Sequence, residues 1–130
     1  MHESPRDELL RINQRLLDSI SQGDWATYQE LCDPTLTAFE PEAVGQLVEG
    51  MTFHRFYFNL GGVKGPNQTT MCAPHVRILG DVAVIAYTRV LQRLQDGVPI
   101  SQAFSETRVW QRQNGAWKHV HFHRTPLRSQ

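Results

Sequence analysis

The chain has 130 residues, 40% of them hydrophobic and 20% charged, with 13 Lys and Arg against 13 Asp and Glu. That length suits a single domain, 1–130, with a real core, and the neutral balance excludes a basic nucleic-acid binder or an anionic-membrane binder. No apolar run reaches the length of a membrane span, and the first twenty residues are too polar for a signal peptide. Near-zero net charge does little to oppose self-association. The two cysteines, Cys32 and Cys72, have no motif spacing and read as small buried hydrophobes in a reducing compartment, which makes the cytoplasm the expected location.

In chain order, Ser4-Pro5-Arg6-Asp7-Glu8 has the form of a helix start, with a Ser cap, Pro at the first helical position and acids in the first turn. Leu9, Leu10, Ile12, Leu16, Leu17 and Ile20 continue it as an apolar stripe that Gly23 ends. Asp24 caps a second helix from Trp25 to Leu31, stopped by Asp33-Pro34. Thr35 to Phe39 is predicted as a short strand, and Glu40-Pro41-Glu42 as the opening of a helical piece that runs to Val48. Met51 to Leu60 is an aromatic helix whose Phe53, Phe56, Tyr57 and Leu60 share a face, with His54 to one side. A His beside an apolar face is ordinarily a satisfied core residue, with a ligand role as the alternative. Gly61 to Asn67 is a loop by composition.

A strand follows from Thr69 to Leu79, and Pro74 inside it implies a bulge or a sheet edge. Gly80-Asp81 turns into a strand from Val82 to Leu94, on which Ala83, Ile85, Tyr87, Arg89 and Leu91 share a face. Gln95-Asp96-Gly97 turns again. Asn114-Gly115 then marks a hairpin within Phe104 to Arg124. Its register is open. A two-residue turn pairs Gln113 with Ala116 and sets Arg108 and Arg124 on opposite faces. A three-residue loop pairs Arg112 with Ala116 and gathers Arg108, Trp110, Val120, Phe122 and Arg124 on one face. An arginine in such a row either snorkels at a sheet edge, the default for the pattern, or lines a polar cavity. Helices first and a long meander after them make the class α+β, with helices on one face of a curved sheet.

His119, His121 and His123 alternate on one strand and are expected on one face, about 7 Å apart. With no second cluster of ligand spacing, a polar outer face is favoured over a metal site. No Gly-rich phosphate loop, GxSxG or CxxC is present, and no cofactor is implied. Glu106 and Glu49 are the candidates for a carboxylate base, each against a solvated or ion-paired reading. Four cationic or cationisable groups, His54, Arg89, Arg108 and Arg124, sit in apolar settings. Gathered on a concave face they would hold a compact anion through guanidinium forks, or require a buried acid or water.

The stretches GDWATYQELCDP (23–34), TAFEPEAVGQLVEGMTFHRFYF (37–58), PHVRILGDVAVIAYTRV (74–90) and SETRVWQRQNGAWKHVHFHR (105–124) together resemble the association, or hub, domain of calcium/calmodulin-dependent protein kinase type II. The resemblance runs from about Asp7 to Arg124. It implies a cone-shaped fold of the nuclear-transport-factor-two-like type, a long N-terminal helix cradled by a strongly bent antiparallel sheet. It implies an assembly domain and no catalytic residues: dimers that close into two-tiered rings, commonly dodecamers or tetradecamers, which scaffold the catalytic domains of a calmodulin-dependent Ser/Thr kinase. It also implies a pocket for small carboxylates or acidic peptide segments, lined by Arg89, Arg108 and Arg124 with His54 at its mouth, and so favours the three-residue hairpin register. The sequence carries neither a kinase domain nor a calmodulin-binding segment, so the expectation is an excised domain or a free-standing hub-like homologue. The loop after Phe58 (NLGGVKGPNQ) is short and Gly-rich where animal hubs carry a longer one with an aromatic residue near the pocket, so an aromatic lid is not expected there. The alternative function is a small cone-fold enzyme, an isomerase, dehydratase or hydrolase, acting on an acidic small molecule.

Overall fold

A computed structural model describes residues 2–128. Helix α1 (Pro5–Gln22) starts where the Ser4 hydroxyl accepts the Asp7 N–H at 3.1 Å, and ends at Gly23 in the left-handed conformation. Helix α2 (Trp25–Leu31) is capped by Asp24, whose carboxylate accepts the Thr27 N–H at 3.2 Å. Strand β1 (Cys32–Phe39) then begins three residues earlier than the pattern suggested, because Pro34 lies in an extended segment that needs no N–H from it.

The helix expected from Glu40 to Val48 is not formed. Pro41–Ala43 makes one 3-10 turn, Val44 and Gly45 take positive φ, and Val48–Glu49 is a two-residue strand, β2. Helix α3 (Thr52–Asn59) follows, then β3 (Asn67–Leu79), β4 (Val82–Gln95), β5 (Val98–Gln113) and β6 (Ala116–Leu127). The strands form one sheet in the order β2-β1-β6-β5-β4-β3. The sheet is mixed and not wholly antiparallel: β1 lies parallel to β6. Pro74 falls where expected, at a bulge between Cys72 and His75 of the edge strand β3, next to Ala73 with φ 50°.

The terminal hairpin has the two-residue turn. Asn114 and Gly115 have φ of 52° and 83°, and Gln113 pairs with Ala116. The resemblance favoured the other register, and the structure reaches the same side-chain grouping by a different route. Trp110 pairs with His119 but Val109 pairs with His121, so Val120 is an extra residue in a β-bulge. The bulge shifts the alternation of β6 by one. Trp117 and His119 point into the core before it, and Phe122 does so after it. His119 is therefore fully buried and does not share a face with His121 and His123, contrary to the simple alternation of the three histidines.

The core lies between α1 and the sheet. Leu9, Leu16 and Leu17 of α1 meet Ala83, Ile85, Trp110 and Phe122 of the strands. One polar residue sits among them. Asn13, fully buried on α1, donates to the Tyr87 hydroxyl at 3.0 Å and accepts from Trp110 Nε1 at 3.0 Å. A buried indole N–H left without its acceptor costs about 1–3 kcal/mol. Asn13→Ala should therefore lower stability by about 2–4 kcal/mol, cavity included, in urea denaturation followed by Trp fluorescence. A loss under about 0.5 kcal/mol would show that the helix is docked without this bond.

Candidate functional site

The concave face of the sheet holds a buried carboxylate. Alternation on β4 brings Tyr87 and Arg89 inward, alternation on β5 brings Glu106 and Arg108, and β6 after the bulge brings Phe122 and Arg124. Glu106 is 2% exposed and Arg108 is 1% exposed. The Tyr87 hydroxyl donates to Glu106 Oε1 at 2.7 Å, and Arg108 donates to the same oxygen from Nε at 3.2 Å and Nη2 at 3.1 Å. Arg89 Nη1 lies 3.4 Å from Oε2. Burial alone would raise the Glu106 carboxyl, but the Arg108 and Arg89 charges outweigh it and hold the group below its ordinary value. Burial pulls the Arg89 guanidinium down more than Glu106 restores it, whereas Arg108 is held charged. Arg108 also lies 4.5 Å over the Phe122 ring. The edge reading of these arginines thus fails for Arg89 and Arg108, because Glu106 supplies the counter-charge that permits burial.

Above this network is a cavity of about 410 Å³. Arg89, Arg108, Arg124 and His54 all line it, as do Glu40, Glu42 and apolar Tyr28, Phe58, Phe104 and Phe122. Helix α3 turns His54 and Phe58 inward, and His54 is 5% exposed. Of its apolar companions, Tyr57 and Leu60 also line the cavity though 38% and 66% exposed, while Phe56, 60% exposed, does not. One wall is the loop after α3. Gly62 lies against the end of α1 so closely that a Cβ there would come within 2.5 Å of the Gly23 nitrogen, and the Val63 N–H donates to the Ser21 carbonyl at 2.6 Å. The Gly-rich composition read as a loop is what lets two backbones touch at the cavity wall.

Arg124 is paired with Glu42 through both carboxylate oxygens and has Glu40 Oε2 at 3.7 Å. Glu40 Oε1 lies 3.4 Å from His54 Nδ1. Three buried atoms of the lining, Glu40 Oε1, His54 Nε2 and Arg89 Nε, have no hydrogen-bond partner among the described residues. The four cationic positions expected from the sequence are thus brought together, and two acids join them that were read only as a helix start, Glu40 and Glu42. Glu106 was considered as a base and is the ion-paired acid. Its position two residues before Arg108 on a strand is the signal that places both on one face. Glu49 is exposed on β2 and does not line the cavity. His121 and His123 lie by Phe39, at ring distances of 6.2 and 5.5 Å, and His121 Nδ1 contacts the Thr37 hydroxyl at 2.7 Å. Among the described residues no group of three His, Cys, Asp or Glu is placed to hold a metal.

Two cavity groups titrate in opposite senses. Burial, with the Glu42 charge, pushes the Glu40 carboxyl up from 4.5 to about 7. Burial, with the Arg108 charge, pushes His54 down from 6.5 to about 4. Glu40 contributes stability that is present below pH 4.5 and lost as pH rises toward about 7. His54 contributes stability that is present above pH 6.5 and lost as pH falls toward about 4. The two slopes oppose each other in the same window, so each single variant should unmask the other. Relative to the unsubstituted chain, Glu40→Gln should make stability climb more steeply between pH 4.5 and 6.5, and His54→Gln should make it fall, by up to about 1.4 kcal/mol per pH unit. Parallel pH profiles for all three proteins, measured by urea denaturation, would contradict this.

The family model of the calcium/calmodulin dependent protein kinase II association domain matches residues 5–128. Calcium/calmodulin-dependent protein kinase type II subunit delta of Oryctolagus cuniculus is 47% identical over 124 residues, which are 92% of this chain and 23% of that protein. The chain thus spans about a quarter of that relative's length. The hub homology domain of Chlamydomonas reinhardtii superposes with a TM-score of 0.90 at 44% identity, covering 96% of this chain and all (100%) of that one. The association domain of the C. elegans kinase superposes with a TM-score of 0.87 at 45% identity, covering 92% and 94%. A likeness to an NTF2-like protein of Cytophaga hutchinsonii, TM-score 0.79 at 20% identity and covering 96% and 100%, shows the cone-shaped fold alone. The matched region is the association domain and not the kinase catalytic domain, and it supports a role in self-association. With the match running through both helices and the whole sheet, the chain belongs to the calcium/calmodulin-dependent protein kinase II association-domain family.

Proposed function

We propose that the chain is an oligomerisation hub that pairs into dimers and closes into a two-tiered ring, a dodecamer, a tetradecamer or a larger assembly, and that it scaffolds calmodulin-dependent Ser/Thr kinase domains in the cytoplasm. The family match over residues 5–128 carries this reading. Helix α3 supports it: Phe56, Tyr57 and Leu60 are exposed apolar side chains where a lone domain would place polar ones. Rings close when a head-to-tail contact repeats with a closing rotation. The rival, a cone-fold enzyme, lacks comparable support. Glu106, its candidate base, is held ionised by two arginines and Tyr87, and fold likeness does not fix chemistry.

Native mass by light scattering after size exclusion, at two protein concentrations, tests the assembly. The expected result is one large mass, independent of concentration, and a species that is still folded but smaller for Phe56→Asp/Leu60→Asp. A monomer at micromolar concentration would refute the hub reading.

The cavity is proposed to bind small carboxylates or acidic peptide segments on Arg89, Arg108 and Arg124, with His54 beside them. Guanidinium forks suit a carboxylate, and the buried Arg89 Nε has no protein acceptor among the described residues. Arg108 is a poor position to probe, because it also neutralises Glu106 and its loss would strand a buried charge at a cost of about 3–5 kcal/mol. Arg124, with a side chain 14% exposed, is better. Acetate titrated against the protein and followed by calorimetry should bind, and Arg124→Gln should weaken it at least about threefold without lowering stability by more than about 1 kcal/mol. Equal acetate affinity in the two proteins would count against the arginine site.

A further inference from the structure

Arg124 stands at the mouth of the cavity with a carboxylate of the same chain already on it. Glu42 reaches its Nη2 with both oxygens, while the guanidinium lies 5.0 Å over the Phe104 ring. A free carboxylate would compete for the same guanidinium, which can offer two N–H groups to its two oxygens where Glu42 engages one nitrogen. The side chains are 14% and 34% exposed, so the pair is within reach of a solute.

The segment that carries Glu42 is held lightly. Its backbone hydrogen bonds close within it: the Ala43 N–H donates to the Glu40 carbonyl, Val44 to Pro41 and Gln46 to Ala43. Pro41, Glu42 and Val44 to Leu47 are exposed. Val44 is 84% exposed and holds a φ of 52°, a left-handed conformation that is costly for a β-branched side chain. Exposed backbone and few buried apolar contacts mean that local opening costs little.

We propose that Glu42 is an internal competitor for the carboxylate site: the strap Pro41–Leu47 sets the Glu42 carboxylate on Arg124, and an incoming carboxylate takes that guanidinium by displacing Glu42 and releasing the strap. The inference rests on the carboxylate reading of the cavity given above. Its consequence is that the site's affinity is reduced by the fraction of molecules in which the strap is closed. Anions that reach only the inner arginines would leave the strap in place, so the strap selects for ligands that engage the mouth.

Acetate binding by calorimetry on the assembled protein tests it, in the unsubstituted chain, Glu42→Gln and Glu3→Gln. The last removes the same charge from a surface pair with Arg11, away from the cavity. Glu42→Gln should tighten acetate about twofold to fivefold, the worth of a partly exposed carboxylate–guanidinium pair, and Glu3→Gln should leave it unchanged. Acetate should also speed amide hydrogen exchange across residues 41–47 in the unsubstituted chain and not in Glu42→Gln. Equal or weaker acetate binding by Glu42→Gln, with binding by the unsubstituted chain intact, would overturn the competitor while the carboxylate site stands. Equal tightening by both variants would reduce the effect to overall charge and overturn it as well. Acetate binding by none of the three would remove the carboxylate site and this inference with it.

Discussion

Glu106 keeps a negative charge inside the sheet, where an isolated carboxylate would lose several kcal/mol of hydration. The Tyr87 hydroxyl and the Arg108 fork offset that loss through one oxygen, and Arg89 attends the other. Tyr87 in turn accepts from Asn13 of α1, which also accepts from Trp110. One hydrogen-bonded cluster thus joins the helix to strands β4 and β5. Arg89 keeps one buried donor, Nε, without a partner among the described residues.

Two irregularities of the chain bring the outer parts of the site into place. Were Val120 paired in a regular ladder and not bulged, strand β6 would turn Phe122 and Arg124 to the opposite face, and Arg108 would lose the ring it stacks on. The other is the 3-10 turn Pro41–Ala43, ended by Val44 and Gly45 at positive φ, which sets Glu42 on Arg124. Bulges and left-handed residues cost local stability, and here each aims a charged or aromatic group at the same cavity.

Helix α3 faces both ways. His54 and Phe58 line the cavity, Phe56 projects outward, and Tyr57 and Leu60 do both, lining the cavity while 38% and 66% exposed. The wall next to it is the Gly62 contact with the end of α1, a backbone-on-backbone approach that admits no side chain. The exposed apolar surface of α3 and the cavity that gathers the arginines therefore share one short helix, with Tyr57 and Leu60 common to both, so a shift of α3 at one surface moves the other.

Much of the fold was legible in the residues, since it rests on local chemistry. Ser4, Gly23 and Asp24 bound the first two helices by capping, Pro74 marks the edge bulge, and the alternation from Ala83 to Leu91 puts Tyr87 and Arg89 on the buried face. The family strings brought His54, Arg89, Arg108 and Arg124 to one site, and their clustering called for a counter-charge. What local pattern could not contain was long-range pairing. The β6 bulge answers to the register against β5, the parallel pairing of β1 answers to where β6 lies, and the break after Glu40 answers to Arg124, which is 84 residues away in sequence. Period and propensity act over a few residues, whereas the partner of a buried charge is chosen by which strands meet. The sequence by itself therefore determined the elements and the cationic cluster, and the tertiary structure alone decided that Glu106, Glu40 and Glu42 would be the acids to face it.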